Sequence, residues 1–244
     1  MNILAIDTVA AACSVAVQTG GETVSSCRKE IEQGHAEILH PMLRDLMLSA
    51  SLGFEDLDLI AATVGPGSFT GLRIGLATAR SLSIAAKVPV TGVTSFEAVA
   101  IALPKEEWND SHVLIALETK RDDLYLQVFA DDHTAIGEPG AIASHDVRAY
   151  VDSLIKRPRQ LVIAGDGAKR AVEAFEGTTK KVIPRLSSLL IGPDATQVAK
   201  IAYSLHLSGQ ILSPAVPFYL RPPHVQLPKL SGSDGELKPF LPTP

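Results

Sequence analysis

The residues with the clearest capacity for chemistry lie between 65 and 75, where the sequence reads Gly65-Pro66-Gly67-Ser68-Phe69-Thr70-Gly71-Leu72-Arg73-Ile74-Gly75. Glycines there allow positive φ and close backbone approach, and Ser68 or Thr70 can cap the free amides of a helix start. Such a helix end can hold an anion. The segment is not a Walker loop, because Gly-Lys-Ser/Thr is absent and Arg73 already falls within the helix. Two readings stand: a capped strand-to-helix connection, and a nucleotide contact through Gly65, Gly67 and Ser68.

The other candidates are weaker. Asp7 and Thr8 end an apolar run, Ile3-Leu4-Ala5-Ile6, where a phosphate-handling ATPase puts a metal-proximal acid. Val9-Ala10-Ala11 follow in place of a glycine and resist close phosphate approach, so Asp7 also reads as a turn acid. Gly165-Asp166-Gly167 follows another apolar run and reads either as an adenosine contact or as a helix cap by Asp166. His35 and His40 sit five residues apart, about 140° beyond a full helical turn, so they do not share a face as metal ligands at i and i+4 would. No metal site is expected. Spacing singles out no Ser/His/Asp group, Cys/His pair or carboxylate couple, and Cys13 and Cys27 read as reduced thiols without a role.

The elements that must position these residues follow from periodicity. Residues 2–29 read as a three-stranded meander turned by Gly20-Gly21, and a helix follows over 36–50, either kinked at Pro41 or beginning there. A buried strand over 59–64, a helix over 69–86, a strand over 89–93 and a helix capped by Ser95 complete a first lobe of order βββαβαβα. The charged stretch 105–111, with Trp108, reads as the connection to a second lobe. There, strands over 113–117 and 124–129, a strand over 161–164, a helix over 168–175 and a final helix over 194–207 read as a shorter, eroded repeat of the first lobe. The expected division is 1–105, 106–215 and a C-terminal extension 216–244. That extension is rich in proline (Pro222, Pro223, Pro228, Pro239, Pro242, Pro244) and is expected to be disordered from about Ser231.

Two helices carry more apolar surface than one sheet contact needs. Gly71, Gly75 and Ala79 recur every four residues and leave one smooth face, with Leu72, Ile74, Leu76, Leu82 and Ile84 spread around the others. In the preceding helix Ile38, Leu39, Met42, Leu43, Leu46 and Met47 form a wide stripe. The readings are docking of a partner, either a homologue or a second copy, and a well-covered internal core. Net charge is −5, so no basic field holds nucleic acid directly. The start lacks a signal-peptide pattern and the longest apolar helix carries Arg73 and Arg80, so a cytoplasmic protein without a membrane span is expected.

Ile3 to Thr8, His35-Ala36-Glu37-Ile38-Leu39, the 65–75 run and Pro217-Phe218-Tyr219-Leu220-Arg221-Pro222-Pro223 together resemble the bacterial TsaB (YeaZ) family over roughly residues 1–228. The resemblance implies an α/β, two-lobed actin-like (ASKHA, ribonuclease H-like) fold with a reduced second lobe. It implies a non-catalytic subunit that pairs with a homologous TsaD-like transferase and, with a TsaE-like ATPase, serves formation of N6-threonylcarbamoyladenosine beside the anticodon of tRNA. The helices at about 36–50 and 69–86 match the family's docking helices, so Ile38, Leu39, Met42, Leu43, Leu46, Met47, Gly71, Leu72, Gly75, Leu76, Ala79 and Leu82 are the expected interface. Asp7, Thr8, Gly65, Gly67, Ser68, Gly165 and Asp166 are the expected nucleotide-proximal residues. No cofactor is required by the chain alone, ATP or ADP at a shared interface being the candidate ligand, and a homodimer through the apolar helix faces is an open alternative without the partner. His40 departs from the apolar residue more usual there. The competing functions are a stand-alone ATP-dependent kinase or ATPase of the same fold and a peptidase, which would need a metal or nucleophile constellation.

Overall fold

A computed structural model describes residues 1–155, 160–176, 184–210 and 212–221. Pro222, Pro223 and the tail expected from Ser231 lie outside the described residues.

The chain builds two five-stranded sheets of the same order. In the first, β1 (Asn2–Ala10), β2 (Ala12–Thr19) and β3 (Glu22–Glu30) form an antiparallel meander. β4 (Leu59–Gly65) and β5 (Val90–Thr94) extend it in parallel, giving the order β3-β2-β1-β4-β5. Helices α1 (His35–Ser49) and α2 (Phe69–Ala86) precede and follow β4, and α3 (Ser95–Ala100) follows β5. The second sheet repeats this with β6 (Ser111–Glu118), β7 (Asp123–Phe129), β8 (Ala135–Ala143), β9 (Gln160–Ala164) and β10 (Pro184–Leu186) in the order β10-β9-β6-β7-β8. A meander with two parallel strands added beside its first strand, occurring twice, is the ribonuclease H-like topology of the actin-like fold. The second lobe keeps every strand. Its reduction is in the covering elements: α4 (Val147–Leu154) has 8 residues against 15 in α1, and α5 (Ala168–Glu173) has 6 against 18 in α2.

Alternation along β1 explains the layering. Leu4 and Ile6 join Leu39, Met42, Leu43, Leu72 and Leu76 on the α1/α2 side, while Ile3 and Ala5 join Ala195, Val198, Ala199 and Ala202 of α6 (Ala195–Leu207) on the other. A strand apolar on both faces must be covered twice, and the second cover comes from the far end of the chain. Although α6 falls within 106–215, it packs on the first lobe's sheet, so the lobes are interleaved in sequence. Its cap, Asp194, accepts from the Thr196 amide at 2.9 Å. α3 faces the second sheet, with Phe96, Val99 and Ala100 against Val113, Ile115 and Val162.

Local chemistry corrects two expectations. α1 runs unbroken through Pro41, whose missing amide lies on the exposed side beside exposed Glu37. α3 is capped by Thr94, not Ser95: Thr94 Oγ1 accepts from the Glu97 amide at 3.1 Å and the Glu97 carboxylate accepts from the Thr94 amide at 2.8 Å, a capping box. Ser95 is fully buried and donates to the Pro66 carbonyl at 2.7 Å, tying α3 to the glycine-rich segment. The inter-lobe connection is itself anchored: buried Glu107 accepts from the Ser187 hydroxyl at 2.6 Å and from the amide and hydroxyl of Ser188 at 2.8 and 2.9 Å. Among the described residues no helix is long and apolar enough to cross a membrane.

Candidate functional site

The glycine-rich segment is used within the chain. Ser68 caps α2, its Oγ accepting from the Gly71 amide at 3.2 Å, while its own amide donates to the Val9 carbonyl at 2.8 Å. A Cβ at Gly71 would overlap the Thr8 carbonyl oxygen, one at Gly75 would overlap the Thr8 hydroxyl, and one at Gly67 would lie 2.6 Å from the Val9 carbonyl oxygen. Thr8 Oγ1 completes the seam by donating to the Gly71 carbonyl at 2.7 Å. The smooth face at four-residue spacing thus lets α2 lie directly on the β1–β2 hairpin. The turn after Asp7 thus has the start of α2 on one side, while Val9, Ala10 and Ala11 line the cleft between the lobes on the other.

Most of the residues expected at the interface also serve the chain's own core. Leu39, Met42, Leu43, Leu46, Met47, Gly71, Leu72, Gly75, Leu76 and Ala79 are buried in the chain's own core, and Ile38 and Leu82 are half-buried against it. The two helices needed so much apolar surface because each packs on the sheet and on the segments around it. Their exposed faces are the complement: Glu37, His40, Arg44 and Leu48 on α1, and Arg73, Ala77, Arg80 and Ile84 on α2. Leu48 is 71% and Ile84 79% exposed, the two most exposed large apolar side chains among the described residues. Both helices return to the start of a parallel strand, so they run in the same direction and these residues share one end of the lobe.

The opposite end opens on a cleft of about 490 Å³ between the lobes. Its walls include Gly67, Ser68 and Asp166 from the expected set, together with Lys120, Arg121, Tyr125, Tyr219 and Arg221. Asp7, Thr8, Gly65 and Gly165 do not reach it. Asp166 is not the α5 cap; from the β9–α5 turn its Oδ1 accepts from the Glu118 amide at the end of β6 at 2.9 Å. Burial raises its pKa, with the Glu118 charge adding to the effect. His35 is the first residue of α1, behind Gly34 at φ 86°, and is buried on the cleft wall; exposed His40 stands apart from it.

Asp7 is sealed beneath the hairpin. Its Oδ1 accepts from the Val9 amide at 2.9 Å, and Oδ2 is buried without a hydrogen-bond partner. Burial pushes its pKa up to about 7; the Val9 amide opposes this, Asp194 adds to it and Arg28 opposes it.

Sequence reading missed the cleft's rim. Phe69, Arg73 and Tyr219 form one cluster: Arg73 Cζ lies 3.8 Å from the Phe69 ring centroid, and the Phe69 and Tyr219 rings lie 5.2 Å apart. The Phe69/Arg73 spacing of i and i+4 was a legible signal; Tyr219 is distant in sequence. Opposite them, Arg221 pairs with Asp123 and stands 5.8 Å over the Tyr125 ring.

The family model described as TsaD, tRNA N6-adenosine threonylcarbamoyltransferase, matches residues 28–222. The tRNA threonylcarbamoyladenosine biosynthesis protein TsaB of Escherichia coli K12 is 28% identical over 240 residues, 96% of this chain and 100% of that protein. Among solved structures, YeaZ from Pseudomonas aeruginosa superposes with a TM-score of 0.69 at 26% identity, covering 89% of this chain and 100% of that one. Another Pseudomonas aeruginosa structure, of an uncharacterized protein with similarity to peptidase YeaZ, gives 0.70 at 25% identity, covering 90% and 99%. With the strand order repeated in both lobes and these matches running nearly end to end, the chain belongs to the TsaB (YeaZ) family of tRNA threonylcarbamoyladenosine biosynthesis proteins.

Proposed function

We propose that the chain is the non-catalytic subunit of the assembly that forms N6-threonylcarbamoyladenosine beside the anticodon, pairing with and activating a TsaD-like transferase together with a TsaE-like ATPase. The hairpin after Asp7 carries the reading. Its turn, Val9-Ala10-Ala11, faces the cleft without a glycine, and the Ser68 amide, which could otherwise meet an anion, is given to the Val9 carbonyl at 2.8 Å. Such a subunit contributes by binding, and the exposed faces of α1 and α2, ending in Leu48 and Ile84, are the surface assigned to the transferase. In this reading tRNA is reached through the complex, in keeping with a net charge of −5. The chain needs no cofactor of its own, ATP or ADP belongs to the shared interface of the cytoplasmic complex, and the free chain forms a homodimer through the same faces. The test is reconstitution: adding the chain to its cognate TsaD-like and TsaE-like proteins produces a heterodimer and stimulates tRNA modification. Absence of any stimulation at saturating concentration contradicts the proposal.

A second reading has one observation in its favour, the cleft of about 490 Å³ between the lobes, where a stand-alone ATP-dependent kinase or ATPase would hold its ligand; its walls carry Lys120, Arg121 and Arg221 alongside Glu32, Glu118 and Asp166. Calorimetry of the isolated chain with ATP and magnesium separates the two, since turnover by the chain alone belongs only to this second reading.

A further inference from the structure

Residues 213–221 cross from the first lobe to the second as an extended strap. It begins beside β5, where the Ser213 carbonyl accepts from the Gly92 amide at 2.9 Å and from Thr91 Oγ1 at 3.1 Å. It then passes the end of β4, where the Phe218 amide donates to the Val64 carbonyl at 2.7 Å. The approach is close: Gly65, at φ 105°, has the Phe218 carbonyl oxygen 2.8 Å from where a Cβ would stand. Phe218 packs against the α1/α2 core and also against the core between α3 and the second sheet, and Leu220 joins the latter. Arg221 ends the strap on Asp123 and Tyr125 of β7. One short segment therefore touches both lobes and the cleft between them.

What holds the strap from outside is α2. Arg73 and Arg80, seven residues apart and both on the exposed face, reach sideways to it. Arg80 Nη2 donates to the Ala215 carbonyl at 2.5 Å, and Arg73 Nε donates to the Tyr219 hydroxyl at 3.3 Å while its guanidinium covers the Phe69 ring. We propose that Arg73 and Arg80 form a clasp that fastens the strap, and through it the second lobe, to α2, so that releasing the two guanidinium groups frees the strap and opens the cleft. The clasp lies on the face given above to a partner. Its existence does not depend on that assignment, because the free chain suffices to test it.

Hydrogen exchange of the full chain reads it directly. The Phe218 and Gly92 amides bond to or through the strap, whereas the Val15 amide belongs to the β2–β3 ladder. In Arg73→Ala/Arg80→Ala the Phe218 and Gly92 amides exchange about tenfold faster or more, with Val15 unchanged. Tyr219→Phe, which removes only the acceptor of Arg73, gives a smaller acceleration at Phe218. In a Cys13→Ala/Cys27→Ala background, spin labels at exposed Thr23 of β3 and Glu138 of β8 report a longer, broader inter-lobe distance when the clasp is removed. Arg44→Ala, an exposed arginine paired with Asp45 on α1, leaves both readouts unchanged. Unchanged Phe218 exchange in the double variant, or faster exchange with an unaltered inter-lobe distance, overturns the proposal.

Discussion

Gly71→Ala puts the internal role of the glycine-rich segment to its sharpest test. An added Cβ there overlaps the carbonyl oxygen of Thr8, which is backbone and cannot rotate away. α2 must lift from the hairpin, loosening the Thr8-to-Gly71 hydrogen bond and the Ser68-to-Val9 bond with it. Overpacking of this kind costs about 3 kcal/mol, and the better helix propensity of alanine returns about 1 kcal/mol, leaving a net loss of about 2 kcal/mol. For a chain of this size that lowers the melting temperature by about 4–8 °C. Urea denaturation followed by circular dichroism, with calorimetric melting as a second probe, measures both quantities. If the face were open, alanine would instead stabilise the helix by about 0.5–1 kcal/mol, and that gain would refute the reasoning.

Asp7 makes stability depend on pH. Its pKa lies at about 7 in the folded chain against an ordinary 3.8. Between these values the unfolded chain gives up the proton and the folded chain keeps it, so stability falls as pH rises from about 4 to about 7 and levels off above, by at most about 4 kcal/mol. In Asp7→Asn this decline disappears, and urea midpoints across that range check it. Glu107 is the reverse case: burial would raise its pKa, but hydrogen bonds from Ser187 and Ser188 outweigh it and hold it below the ordinary carboxylate range. Its contribution is present above the unfolded pKa and is lost as pH falls through the folded one; Glu107→Ala costs about 1–3 kcal/mol at neutral pH, measured by the same denaturation.

Much of the first lobe was legible because its elements are long and consistently patterned. The apolar runs of β1 and β4 and the extent of α2 agree with their local signals, and the repeated meander gave the second lobe. β8 escaped because Ala135–Ala143 carries two glycines and a proline among partly exposed residues, and β10 because three residues hold no period. The place of α6 is not encoded in its own residues: its small apolar face fits either sheet, and only the second bare side of the first sheet decides. The same limit governed the site. Spacing revealed that Gly71, Gly75 and Ala79 share a smooth face, but not that Thr8 lies against it, and a helix with apolar residues all round reads alike whether its own chain or another covers it. The cleft's rim joins Phe69 to Tyr219 and Tyr125 to Arg221, pairs that only the closed fold brings together.

In the proposed complex the glycine-bearing face of α2 closes the chain's own fold while its outward face binds the partner. Titration calorimetry of the cognate TsaD-like protein against the Gly75→Ala variant and against Leu48→Asp/Ile84→Asp measures this directly. The expected result is that Gly75→Ala melts lower yet binds with unchanged affinity, whereas Leu48→Asp/Ile84→Asp keeps its melting temperature and binds at least about tenfold more weakly. Weakened binding by folded Gly75→Ala, with full affinity in the outward-face variant, would contradict it.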